Sequence, residues 1–121
     1  MERRGQKYHR ERLSGALREE IETILEGELG DPRIGLARVS AIQMAEDGRS
    51  AHVLVAVDGD DAEAERTLEG LNAAKNYVRH ELVDRLHLRR APELFFQIDR
   101  SHQLESRVEE LLGRAKKRSK K

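Results

Sequence analysis

Cysteine is absent from the 121 residues, so the chain has neither a disulfide framework nor a thiolate site, a composition that suits a reducing cytosol. Aromatic residues make up only 3%, namely Tyr8, Tyr77, Phe95 and Phe96, which leaves few platforms on which splayed nucleobases could stack. No apolar run approaches the roughly 20 residues that a membrane helix requires. The basic start is not followed by an apolar segment, so no secretory signal is expected. These absences point to a soluble, cytoplasmic protein without a membrane anchor. What is present is charge: 38% of residues are Asp, Glu, Lys or Arg, against 37% hydrophobic, and the length suits one domain with one core.

The formal net charge is zero, which taken alone argues against a polyanionic partner. The distribution argues otherwise. Between Met1 and Arg18 six bases face two acids, and between Glu19 and Gly70 fourteen acids face four bases. From Leu71 to Arg90 five bases face two acids, and Gly113 to Lys121 holds six bases and no acid. If folding gathers the basic segments, one side is cationic and the opposite side acidic, which orients binding to a polyanion.

Apolar residues Leu13, Leu17, Ile21, Ile24, Leu25 and Leu29 recur at steps of three and four, predicting a long amphipathic helix over Lys7 to Leu29. Gly30, Asp31 and Pro32 end it. Two strands follow, Ala37 to Met44 and Ser50 to Val57, joined by a tight turn through Glu46, Asp47, Gly48 and Arg49. The first alternates poorly around Ser40 and Ala41, where a bulge is expected. Asp58 to Asp61 is a polar loop whose last aspartate can cap a second helix, with Ala64, Leu68 and Leu71 as its stripe. The stripe resumes at Val78, Leu82 and Leu86 after a bend within Ala73 to Asn76. A last strand carries Leu94, Phe96 and Ile98 on one side, and a further helical turn near Ser106 to Leu112 precedes a basic tail. The expected boundaries are one domain over residues 1–112 and a disordered tail over 113–121. The order predicts an α+β fold: a three-stranded sheet covered on one face by helices, matching the type II KH arrangement.

From Arg10 to Ser101 the chain resembles the ribosome-binding factor A family. The likeness rests on Asp31-Pro32-Arg33 after the first helix, the Glu46-Asp47 turn with Ala51 to Val57, and Tyr77-Val78-Arg79. It continues through Leu88-Arg89-Arg90-Ala91-Pro92-Glu93-Leu94, Phe96, Asp99 and Ser101. The resemblance implies a KH-type domain in which an Ala-x-Gly kink replaces the Gly-x-x-Gly loop. Here the triplet is Ala74-Lys75-Asn76, with asparagine, the next most tolerant residue of positive φ, at the glycine position. The implied activity is non-enzymatic. Such a factor binds 16S ribosomal RNA on the immature small (30S) ribosomal subunit, assists late maturation including processing of the 5′ end, and supports growth in the cold. It leaves before translation begins. Ribosomal proteins and an assembly GTPase are further candidate partners, and a monomer is expected.

Arginine can contact two phosphate oxygens at once, and each neutralised phosphate releases counterions. The candidate RNA-binding residues are Arg3, Arg4, Lys7, Arg10 and Arg12, then Arg33, then Lys75, Asn76, Arg79, Arg85, Arg89 and Arg90, and in the tail Lys116, Lys117 and Arg118. Each basic face also reads as a solvated surface. Asp31 and Pro32 read as a helix stop. The tail reads as an RNA-gripping arm or as a solubilising end, with a dense one-sign block favouring the arm. A second reading of the charge pattern is a protein-interaction module that docks a basic ribosomal protein through an acidic face including Glu63, Glu65 and Glu69. Enzyme readings lack their parts. There is no phosphate-cradling Gly-x-x-x-x-Gly-Lys loop and no Gly-x-Ser-x-Gly elbow. Asp58, Asp60 and Glu69 mimic a calcium loop, but Glu63 stands where its sharp turn demands glycine. His9, His52, His80, His87 and His102 form no metal-ligand pattern, and no cofactor is expected.

Overall fold

The computed structural model describes residues 4–34, 37–101 and 110–113, with side chains from residue 9 onward. Its elements are α1 (Arg4–Gly27), β1 (Ala37–Met44), β2 (Ser50–Val57), α2 (Asp61–Ala73), α3 (Lys75–Leu86) and β3 (Glu93–Ile98). This is the α+β order expected from the sequence. The first helix is set back from the expected span, starting by Arg4 and ending at Gly27, so that Leu29 packs from the loop.

The sheet order is β1-β2-β3, with β1 antiparallel and β3 parallel to β2. The β1–β2 turn is where Asp47 and Gly48 place it: Gly48 takes a φ of 71°, its N–H donates to the Ala45 carbonyl, and the Asp47 carboxylate accepts from the Arg49 N–H. The register of β1 shifts between Val39 and Ala41, the bulge that the broken alternation around Ser40 predicts. It keeps Val39 and Ile42 on the same side, so the inner face stays apolar on both sides of the irregularity.

Alternation decides which face is covered. Ala51, Val53 and Val55 of β2 and Leu94 and Phe96 of β3 are buried, and they meet Leu17, Ile21 and Ile24 of α1, Leu71 of α2, and Val78 and Leu82 of α3. Each fully buried Leu or Ile in this set stabilises the fold by about 1.5–3 kcal/mol. All three helices lie on this one side. α2 also buries Thr67 and Gly70, which the apolar spacing does not mark. A Cβ on Gly70 would come within 2.6 Å of Ile34 Cγ1, and the Thr67 hydroxyl donates to the Arg33 carbonyl at 3.4 Å, so α2 lies tight against the loop after α1.

Two local expectations are corrected. The N-cap of α2 is Asp60, whose carboxylate accepts from the Glu63 N–H at 2.8 Å; Asp61 is already the first helical residue. The bend between α2 and α3 needs no positive φ: it is carried by Ala74 at φ −88°, ψ −1°, while Asn76 sits inside α3. The positive φ falls instead on His87, which closes α3 in the left-handed conformation at φ 54°, ψ 45°.

After α1, Asp31 accepts from the Arg33 guanidinium at 2.6 Å and from the Arg33 N–H at 2.9 Å. The side-chain bond first and the backbone bond second pull the Asp31 pKa from 3.8 down to about 2. A depressed carboxylate stabilises the fold above its unfolded pKa and loses that contribution as pH falls through its folded one. Carboxyl titration followed by NMR is expected to place the Asp31 midpoint near 2, and in Arg33→Ala higher but still below 3.8, because the backbone N–H of residue 33 remains; the loop's contribution fades as the solution is acidified through the folded midpoint. At the other helix end, His87→Gly is expected to raise stability by about 0.5–1 kcal/mol, seen as a higher urea midpoint at unchanged m-value, because glycine adopts the left-handed region without the Cβ penalty.

Candidate nucleic-acid interface

Among the described residues, basic side chains far apart in sequence are brought to one end of the sheet. The Ser14 hydroxyl of α1 donates to the Ile42 carbonyl at 3.4 Å, and Arg18 donates to the Val39 carbonyl at 3.1 Å, so the first half of α1 runs along β1 toward the β1–β2 turn. The same turn holds the start of β3: the Glu93 N–H donates to the Arg49 carbonyl at 2.8 Å. The loop between α3 and β3, carrying Arg89 and Arg90, therefore arrives beside Arg49. All three arginine side chains are exposed, and among the described residues no carboxylate lies within ion-pair distance of them. Arg10 is half-buried and Arg12 exposed on the half of α1 that points to this end.

Arg79 holds the loop in place rather than standing free. Its guanidinium donates to the Ala91 carbonyl at 3.3 Å, two residues before β3, and its Nε is buried without a hydrogen-bond partner. One helical turn before it, Lys75 opens α3 and reaches the edge strand β3, its ammonium 5.6 Å from the centroid of the Phe95 ring. Phe95 faces away from the core and stacks on His52 of β2, with centroids 5.1 Å apart and planes at 23°. Asn76 is exposed in the first turn of α3.

Two other candidates are set apart from this cluster. Arg85 is gripped by three carboxylates: Glu28, Glu20 at 3.5 Å and Glu81 at 3.5 Å. The bond to Glu28 is the largest cause that holds its guanidinium charged even more firmly than usual. This pins α3 to α1 and leaves Arg85 little capacity for an external phosphate. Arg33 lies at the other end of the sheet, beside Val57, Asp58 and Thr67, and is paired with Asp31. Acids gather there as well, with Asp58 and Asp60 on the β2–α2 connection and Asp61 at the start of α2, and Arg100 bound to Asp61 at 2.7 Å and to Glu65 at 3.7 Å. Arg3, Lys116, Lys117 and Arg118, and the side chains of Arg4 and Lys7, lie outside the described residues.

Sequence reasoning missed Arg49, His52 and Phe95. Arg49 is one base in an acidic stretch, and nothing local marks its proximity to the α3–β3 loop. Phe95 was within reach: a strand that buries Leu94 and Phe96 must turn the residue between them outward. Among the described residues no cluster of His, Cys, Asp and Glu could hold a metal ion, and no helix is long and apolar enough to cross a membrane.

Residues 9–112 match the family model described as Ribosome-binding factor A. A ribosome-binding factor A from Koribacter versatilis (strain Ellin345) is 60% identical over 120 residues, covering 99% of this chain and 98% of the relative. The crystal structure of ribosome-binding factor A from Thermus thermophilus superposes with a TM-score of 0.64 at 27% identity, over 74% of this chain and 94% of that one. A Thermus thermophilus homology model fitted into a cryo-EM map of a complex between that factor and the 30S subunit gives a TM-score of 0.62 at 28% identity, over 74% and 93%. The family-model match over residues 9–112, the identity to curated relatives and the shared fold agree: the chain belongs to the ribosome-binding factor A family, whose members are ribosome-binding factors and not enzymes.

Proposed function

We propose that this protein binds the free, immature small ribosomal subunit in the cytoplasm, contacts its 16S ribosomal RNA through the cationic end of the sheet, and assists late maturation, including that of the RNA's 5′ end. The observation that carries the reading is the convergence of Arg49, Arg89 and Arg90 with the first half of α1, at the end away from the Asp58 to Asp61 acids. Glu46, Asp47 and Glu93 share this end, and the three exposed arginines beside them, unpaired among the described residues, give an RNA backbone a defined place to dock. The Thermus thermophilus relative seen on the 30S subunit supports the choice of partner.

Within that interface the side chains have different tasks. Arg89, Arg90 and Arg49 take phosphates, with Lys75 and Asn76 continuing the contact along the edge of the sheet. Arg79 fixes the loop on which two of them sit. Arg10 and Arg12 extend the cationic surface along the first half of α1, and Arg3, Arg4 and Lys7 add positive charge for the RNA backbone. The tail bases Lys116, Lys117 and Arg118 add further phosphate contacts. Recognition dominated by phosphates is shape-directed and salt-sensitive. The function needs no cofactor, and one copy of the chain suffices.

Sedimentation of native lysate is expected to place the protein with free small subunits at low salt, absent from translating ribosomes and released at high salt; a protein that stays at the top of the gradient at both salts would overturn the reading. Two substitutions separate contact from scaffold. Arg89→Gln with Arg90→Gln is expected to lower the salt-dependence slope of subunit binding by about 2 at an unchanged thermal midpoint. Arg85→Ala is expected to do the reverse, lowering the thermal midpoint because Glu20, Glu28 and Glu81 lose their shared cation, while the slope stays the same.

A further inference from the structure

Among the described residues the helices cover one face of the sheet and leave the other open. On that open face, cross-strand pairing lines up Gln43, His52 and Phe95 across β1, β2 and β3, and in the next row Ala41, Leu54 and Gln97. Most of these residues are polar or small. Leu54 and Phe95 are the exceptions, and Phe95 is the exposed one, a phenyl ring 37% exposed on the outermost strand, with β2 on one side of it and, among the described residues, no strand on the other. An apolar ring left in water at a sheet edge forgoes burial that most strand positions would exploit, and a polar residue would hold the strand as well.

The surroundings of the ring fit one kind of occupant. His52 stands nearly parallel to it, so the pair presents a two-ring stack rather than an isolated phenyl. Lys75 supplies a cation at the ring and belongs to the same helix as Arg79, which anchors the loop of Arg89 and Arg90. Gln43 and Gln97 place side-chain amides on the same face, groups that can donate to and accept from a base edge. Glu93 is the acid nearest along the strand, one pleat away on this face. An apolar protein surface would find only one ring and a leucine here, bordered by amides and charge. A nucleotide finds a π-face for its base and an ammonium for its phosphate.

We propose that Phe95, backed by His52 and flanked by Lys75, is a stacking platform for one unpaired base of RNA, so that the open face of the sheet reads a single-stranded nucleotide beside the phosphate-binding arginines. The inference rests on the RNA-binding reading above and deepens it. In the free protein the Lys75 ammonium lies at the ring as a cation–π partner. When a base stacks on Phe95, the flexible lysine moves from ring to phosphate, so one side chain serves both states. The single-strand contact is sequence-tolerant, since every base has a π-face.

The test uses the full-length chain with two fluorescently labelled probes, a ten-residue oligoadenylate and a ten-residue abasic ribose-phosphate strand of equal charge, read by anisotropy at low salt. Wild type is expected to bind the oligoadenylate about 5- to 150-fold more tightly than the abasic strand, the range that one stacked base contributes. Phe95→Leu is expected to lose that preference while binding the abasic strand as wild type does, and Phe95→Tyr to retain it. Because position 95 faces solvent, the thermal midpoints of both variants should stay near that of wild type. Equal binding of the two probes by wild type, or a Phe95→Leu variant that keeps the preference, overturns the platform. A Phe95→Leu variant that loses small-subunit binding but keeps the oligoadenylate preference assigns the ring to a protein contact, and also overturns it. If wild type binds neither probe nor the small subunit, the RNA-binding reading itself fails; if it binds the subunit in a salt-sensitive way and only the stacking results fail, that reading survives without the platform.

Discussion

The parallel pairing of β3 with β2 is the constraint on which the rest of the molecule depends. Parallel neighbours cannot be joined by a tight turn, so the chain must travel back along the sheet before β3 can begin. α2 and α3 are that return path. They fill the space over the inner face with Leu71, Val78 and Leu82, and the break at Ala74 redirects the path toward the start of β3. The return places Arg89 and Arg90 at the end of the sheet where the β1–β2 turn already presents Arg49, and puts Lys75 at the edge strand. The proposed RNA-binding surface is a by-product of adding the third strand to the sheet.

Charge separation follows from the same path. Two acids, Glu20 in the second half of α1 and Glu28 just past it, are consumed internally by Arg85, which ties α3 to the end of α1. Acids just before and at the start of α2 cap that helix through Asp60 or bind Arg100 through Asp61. The exposed arginines of the α3–β3 loop have no such engagement among the described residues. Position decides what a charge is for. Arg85 and Arg89 are four residues apart, yet one is held in an internal ion-pair network and the other projects into water.

Much of the fold was legible because it is written in local patterns. The period of α1, the Asp47-Gly48 turn, the bulge at Ser40 and the alternation of β2 and β3 each follow from a few adjacent residues. What was not legible depends on distant partners. Nothing near Arg85 announces Glu20, 65 residues away, or Glu28, 57 away. Gly70 and Thr67 look like interruptions of an apolar stripe until the loop of Arg33 and Ile34 is placed against them. The choice of Asp60 over Asp61 as cap turns on one residue of phase between two identical side chains. The bend was foreseen at the right place for a reason that does not operate, since Ala74 turns the chain within ordinary negative φ and Asn76 is simply helical.

The central claim, that the end of the sheet bearing Arg49, Arg89 and Arg90 faces the RNA, is tested most directly by hydrogen–deuterium exchange of the full-length protein, alone and saturated with purified free small subunits. Slowed exchange is expected across the β1–β2 turn, the α3–β3 loop and the first residues of β3, with the exposed turns around Asp58 to Asp61 unchanged. Slowing confined to α2 and the second half of α1, with the α3–β3 loop unaffected, would contradict the account and make the acidic side the docking surface.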